Sequence, residues 1–187
     1  MYIVQLGDGG ALAGARELRM VKHRIYARHQ GVAAEDRLPI PLIKRCVREA
    51  LRLEGVDLPC EVSALITDDE SIRGINREFR GIDEPTDVLS FPMQFFSPPG
   101  WDAKRIDMTD PGTDAAMLGD IILSAQRVIE QAGEHSHSIG QETAYLTVHS
   151  VLHLLGYDHV DEAEGKRQMR DREKEIMNSV QIGDDER

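Results

Sequence analysis

The chain has 187 residues, 41% of them hydrophobic and 29% charged. That length suits one domain, which buries about 70% of its unfolded surface and needs no disulfide to fold, and the composition excludes wholesale disorder. The 33 Asp and Glu against 22 Lys and Arg give a net charge of −11, which taken alone argues against a nucleic-acid binder, because phosphate neutralisation favours basic surfaces.

No run approaches ~18 consecutive apolar residues, so no membrane span is expected. Met1 to Gly14 shows no basic stretch ahead of an apolar one, so no secretory leader is expected either. Cys46 and Cys60 stand alone without a CxxC pattern and read as reduced thiols of a cytosolic protein.

In chain order, Tyr2 to Leu6 reads as a short strand closed by Gly7-Asp8-Gly9-Gly10. Residues 11–36 show weak periodicity and read as a helix or a variable extension. From Leu38 the pattern is helical: Pro39 and Pro41 suit a first turn, Leu42, Cys46, Ala50 and Leu53 form an apolar stripe, and Gly55 ends it. Glu61 to Thr67 reads as a strand. Asp68 or Asp69 caps a helix through Phe79 that carries Ile72 and Ile75. Val88 to Pro92 reads as an edge strand or a strand end.

Ser97 to Met117 holds three prolines, two glycines and four aspartates, a long hairpin connection exposed to solvent. Leu118 to Ser124 is the next strand, and Ser124 caps a helix with Val128, Ile129 and Ala132. Ile139 to Leu155 is a strongly apolar helix, and Asp161 to Val180 a charged one. The expected fold class is α+β: a single domain over 1–187, with a mixed sheet of about four mostly short strands and helices packed on it. Residues 7–36 and 97–117 are variable or loop segments, and 181–187 a frayed tail.

The informative stretch runs from His149 to His159. His149 and His153 are four apart and project from one helix face. Gly156 can take the positive φ that ends a helix, after which the chain can return His159 as a third ligand. Three protein ligands with a fourth position left to water is the catalytic zinc arrangement, in which the pKa of the bound water falls to about 7. The spacing equals that of the metzincin proteases, but their Glu after the first His is Ser150 here, which cannot act as a general base. His135 and His137 flank a connection and read as surface residues. His23 and His29 carry no special reading.

His149-Ser150-Val151-Leu152-His153-Leu154-Leu155-Gly156-Tyr157-Asp158-His159 resembles the signature of the YbeY family of bacterial ribosomal-RNA maturation endoribonucleases. Two further blocks stand in the family's order: Asn76 to Arg80 followed by Pro85 to Pro92, and Leu118 to Ser124. The resemblance covers about Glu61 to Asp161 well. It implies a mixed α/β fold and one zinc ion held by His149, His153 and His159. It implies a metal-dependent hydrolase, an endonuclease specific for single-stranded RNA, acting in the cytoplasm. The implied task is maturation of the 3′ end of small-subunit (16S) ribosomal RNA and ribosome quality control. The implied partners are that RNA, the small ribosomal subunit and its proteins, with no membrane and no DNA. Arg80 matches the family's functional arginine, so the expected catalytic residues are Arg80 and His149.

Arg80 can fork onto a phosphate as lysine cannot. No general base is assignable; Asp87, Asp120 or Asp158 could orient a histidine. Arg73, Arg77 and Arg80, or Arg45, Arg48 and Arg52, recur at helical spacing and are expected to line a positive groove leading to the zinc. Two other functions stay open: a ribosome-associated assembly factor with a mainly structural metal, and another zinc hydrolase such as a protease or amidase.

Overall fold

The computed structural model describes residues 21–158 and 163–183. The strand expected at Tyr2–Leu6, the third histidine His159 and the last four residues lie outside the described residues. Four strands form one sheet: β1 (Arg24–His29), β2 (Cys60–Thr67), β3 (Val88–Pro92) and β4 (Ala116–Ser124). Their order is β1-β2-β4-β3. The first three in that order run parallel, and β3 runs antiparallel to β4 along the edge. The mixed sheet is the one expected.

β1 corrects the reading of 11–36 as a helix or extension. Only one of its faces meets the core, through Ile25 and Ala27, while Tyr26 is exposed. Two inward apolar residues between charged neighbours leave too short an alternation to stand out.

The helices are α1 (Ile40–Leu53), α2 (Asp69–Arg80), α3 (Ala125–Glu134), α4 (Ile139–Leu154) and α5 (Ala163–Ser179). Local chemistry sets their ends. Asp68, not Asp69, caps α2, its Oδ1 accepting from Ser71 N–H at 2.7 Å. Gly81 at φ +72° ends that helix. Ser124 accepts from Arg127 N–H, and Ser138 with Gln141 forms a reciprocal capping box that starts α4.

α4 is buried on most of its circumference, which suits a helix wedged between α1, α3, α5 and the β3–β4 end of the sheet. α2 covers the same end of the opposite face, where Ile72 and Ile75 meet Leu65, Leu89, Phe91 and Ile122. The loop expected over 97–117 ends two residues early, where β4 begins, and the connection from β3 to β4 over 93–115 is anchored. Trp101 packs on the core and donates to Asp57 at 2.8 Å. Gln94 donates to the carbonyls of Met108 and Met117 at 2.7 and 2.8 Å. Of the tail expected to fray, Ile182 also packs on the core.

Cys46 and Cys60 form no disulfide among the described residues and are fully buried. Burial pushes the Cys60 thiol up to about 12, with the Asp57 carboxylate adding to the shift. A thiol with so high a pKa stays protonated at pH 8 and is a poor nucleophile. Native protein is therefore expected to leave both thiols unmodified by a disulfide exchange reagent at pH 8, with both reacting once guanidinium unfolds the chain. Fast labelling of Cys60 in the native state would contradict this.

Candidate active site

The helical repeat of α4 turns Val148, Val151 and Leu152 into the core and leaves His149 and His153 one turn apart on the open side. Their Nε2 atoms face each other at 3.1 Å. The rings meet edge to face, centroids 4.6 Å apart. The Nδ1 atom of His149 lies 2.7 Å from Oε1 of Glu173 on α5, a carboxylate only 6% exposed.

An ionised carboxylate at this hydrogen bond can only accept, which places a proton on Nδ1 of His149 and leaves Nε2 as the ring atom turned toward His153. Two imidazole nitrogens so placed fit one shared cation, since ligands at about 2.0–2.1 Å in a tetrahedral shell lie about 3.3 Å apart. The buried carboxylate behind one of them is the usual outer support of a metal-bound histidine. Gly156 takes φ +84° and turns the chain out of α4 toward position 159. His159 itself lies outside the described residues.

Sequence reasoning missed Glu173. Its signal is its place in a stripe: Met169, Glu173, Ile176 and Val180 recur at spacings of four, three and four, and all are buried. An acid within an apolar stripe requires a partner in the core.

The two histidines line a cleft of roughly 740 Å³. Its other walls are Phe79 and Arg80 at the end of α2, residues 86–92 along β3, and Tyr145, Leu146 and Asp158. Burial raises the pKa of Tyr145, with the Glu173 carboxylate next in effect, so the phenol stays protonated and able to donate.

Of the carboxylates expected to orient a histidine, Asp158 and Asp87 line this cleft and Asp120 lines the neighbouring groove on the sheet. Asp87 is engaged in turn chemistry, accepting from Thr86 Oγ1, Val88 N–H and Gln131 Nε2 at 3.0, 2.8 and 3.1 Å. The arginine rows do not form the expected groove. Of the six arginines, Arg80 alone lines the cleft. Arg73 forks onto both oxygens of Asp83 at 2.9 and 3.1 Å, and Arg77 approaches the same carboxylate at 3.5 Å. The Arg73 guanidinium holds the Asp83 carboxyl below the usual range. Arg52 pairs with Glu49.

Ser150 is fully buried, and among the described residues its hydroxyl has no hydrogen-bond partner. It lies off the histidine face, so the protease reading lacks its base in structure as well as in sequence. His135 and His137 are half-exposed, as expected of surface residues, but both rings turn toward the buried carboxylate of Glu142. That group also has the donor types to hold a metal.

The profile of the endoribonuclease YbeY family matches residues 28–181. The chain belongs to the endoribonuclease YbeY family. An endoribonuclease YbeY of Pelotomaculum thermopropionicum is 43% identical over 153 residues, covering 82% of this chain and 93% of the relative. One from Clostridium botulinum strain Eklund 17B is 44% identical over 145 residues, 75% of this chain and 87% of the relative. One from Chloroflexus aurantiacus strain J-10-fl is 43% identical over 148 residues, 79% and 88% respectively. These relatives are named for the hydrolysis of phosphodiester bonds within an RNA strand. A solution structure from Thermotoga maritima shares the fold, with a TM-score of 0.52 at 24% identity over 85% of this chain and 89% of that one.

In this YbeY-family chain the turn after α4 tolerates no side chain. A Cβ on Gly156 would lie 2.5 Å from the carbonyl oxygen of Phe96. Gly156→Ala is expected to cost at least ~2 kcal/mol, from left-handed strain plus that clash. Gly55→Ala, at φ +71° with open space around the new methyl, is expected to cost only about 1 kcal/mol. Thermal or denaturant unfolding of the two variants checks the difference.

Proposed function

We propose that this protein is a metal-dependent endoribonuclease that cuts single-stranded RNA. In this reading one zinc ion is held by His149, His153 and His159, and Arg80 binds the phosphate to be cleaved. The observation that carries it is the pair of facing Nε2 atoms 3.1 Å apart, with His149 fixed from behind by buried Glu173, in a cleft whose basic group is Arg80. Three imidazoles suit zinc, and the bound ion would supply Lewis-acid activation of water and phosphate.

The chain's own groups account for the rest of the site. Arg80 offers a planar fork to two phosphate oxygens. Tyr145, protonated through the neutral range, can donate to a third. Glu173 keeps His149 in one tautomer and one orientation, so no rearrangement is needed when substrate arrives. Phe79 is 64% exposed beside Arg80. A base can stack on such a ring only when it has left a duplex, which favours single strands.

The family resemblance extends the proposal to 3′-end maturation of small-subunit ribosomal RNA and to ribosome quality control, in the cytoplasm and on the small subunit. The net charge of −11 suits docking on basic ribosomal proteins better than indiscriminate RNA binding.

The test is cleavage of a labelled single-stranded RNA by zinc-loaded protein. Wild type is expected to cut, and His153→Ala to be inactive while folded. Arg80→Ala is expected to lose ~100-fold or more in kcat/KM. Arg73→Ala, whose partner is Asp83 rather than the cleft, is expected to stay within about twofold of wild type, as suits an exposed ion pair. Equal cutting by all four would identify a contaminant, and no cutting by any would favour the assembly-factor reading. Separately, Glu173→Gln is expected to weaken zinc affinity by ~10–100-fold, measured by competition with a chromophoric chelator.

A further inference from the structure

We propose a second metal site, at the corner where α3 passes into α4, made by His135, His137 and Glu142 and suited to zinc. None of the three residues lines the histidine cleft, so the site is independent of the one proposed above.

The corner is built to bring two imidazoles together. Residues two apart on a helix do not face each other, so a continued α3 would hold the two rings apart. Here Ser136, between the two histidines, adopts φ +57°. That left-handed turn is strained for a residue with a Cβ, and such strain collects at ligand clamps. It folds both rings onto one side, with centroids 5.7 Å apart. His135 closes α3 as its C-cap, and His137 stands just ahead of the Ser138 cap of α4.

Beneath them lies Glu142, in the first turn of α4 and 1% exposed. A buried carboxylate needs compensation. Its Oε2 is 3.1 Å from Nδ1 of His137 and 3.6 Å from Nδ1 of His135. These separations bracket the value of about 3.3 Å for neighbouring ligands around a tetrahedral ion bound at about 2.0–2.1 Å. The ligand atoms of all three residues lie within 4.8 Å of one another.

Two imidazoles and a carboxylate form a donor set for a borderline divalent cation, with a fourth position open to water. On binding, each histidine presents its Nδ1 lone pair and keeps its proton on Nε2, at the rim of a half-exposed ring. The ion would tie the end of α3 to the start of α4, the helix that carries His149 and His153.

The test counts zinc on the full chain. Metal-free protein is loaded with excess zinc, exchanged into metal-free buffer and analysed by native mass spectrometry and elemental analysis. Two ions per chain are expected for wild type. His149→Ala/His153→Ala should keep the corner ion, and zinc should still raise its melting temperature by several degrees. His135→Ala/His137→Ala should lose one ion and keep the other. Removing His149 takes the partner from buried Glu173, so circular dichroism checks the fold of each variant before its zinc is counted.

The proposal is overturned if His135→Ala/His137→Ala binds as many ions as wild type. It is equally overturned if His149→Ala/His153→Ala binds none and melts at the same temperature with and without zinc. If wild type binds a single ion that only the His135→Ala/His137→Ala pair removes, the corner site stands and the cleft assignment falls.

Discussion

Everything at this site depends on one buried hydrogen bond, from Nδ1 of His149 to the carboxylate of Glu173. It places a proton on Nδ1 of His149 and leaves Nε2 as the ring atom that faces His153. It also imposes an architectural demand, because a buried carboxylate deprived of its partner costs several kcal/mol. The helix that brings it must therefore be docked firmly. α5 achieves this through Met169, Ile176 and Val180 in the core and through Arg172. That guanidinium binds the buried carboxylate of Glu54 at 2.7 Å and the carbonyl of Leu53 at 2.9 Å. Tyr157, just past the Gly156 turn, donates its hydroxyl to the other oxygen of Glu54 at 2.8 Å. The end of α1, the exit from α4 and the middle of α5 thus meet at one ion pair, and the orientation of His149 follows from that meeting.

Much of this was legible in the chain. The helical spacing of His149 and His153, the glycine turn at 156, the Ser124 cap and the stripes of α1 and α2 all depend on local periodicity, which sequence records directly. Long-range pairings left weaker marks. β1 was hidden because an edge strand with one wet face needs few apolar residues. The partner of His149 is none of Asp87, Asp120 and Asp158 but a glutamate on α5, 24 positions away, signalled only by an acid inside an apolar stripe. The arginine rows were visible, but their partners were not: Asp83 and Glu49 occupy Arg73 and Arg52. His135 and His137 read as residues of an exposed connection because nothing local in the sequence signals the left-handed turn at Ser136.

The acidic composition and the RNA substrate are reconciled at the level of individual pairs. Several of the chain's arginines are already matched: Arg127 to Asp69 and Glu130, Arg167 to Glu164, Arg172 to Glu54 and Glu175. Net charge therefore says little about the cleft, whose lining sets Arg80 among three aromatic residues, the histidines, Asp87 and Asp158. Recognition there would rest on one well-placed fork and on stacking more than on a broad basic surface.

The wall formed by β3 has a consequence of its own. Seven consecutive residues, 86–92, border the cleft, although side chains along a strand alternate between faces. Consecutive residues can line a cavity together only if the strand is presented edge-on, and β3 is the terminal strand of its sheet. Its free edge therefore brings backbone amide and carbonyl groups to the wall beside the side chains, up to Pro92, which brings no N–H. Substitution along this strand changes the side chains at the cleft but leaves the amide and carbonyl groups of the free edge in place, so one part of the surface offered to a ligand persists through sequence change.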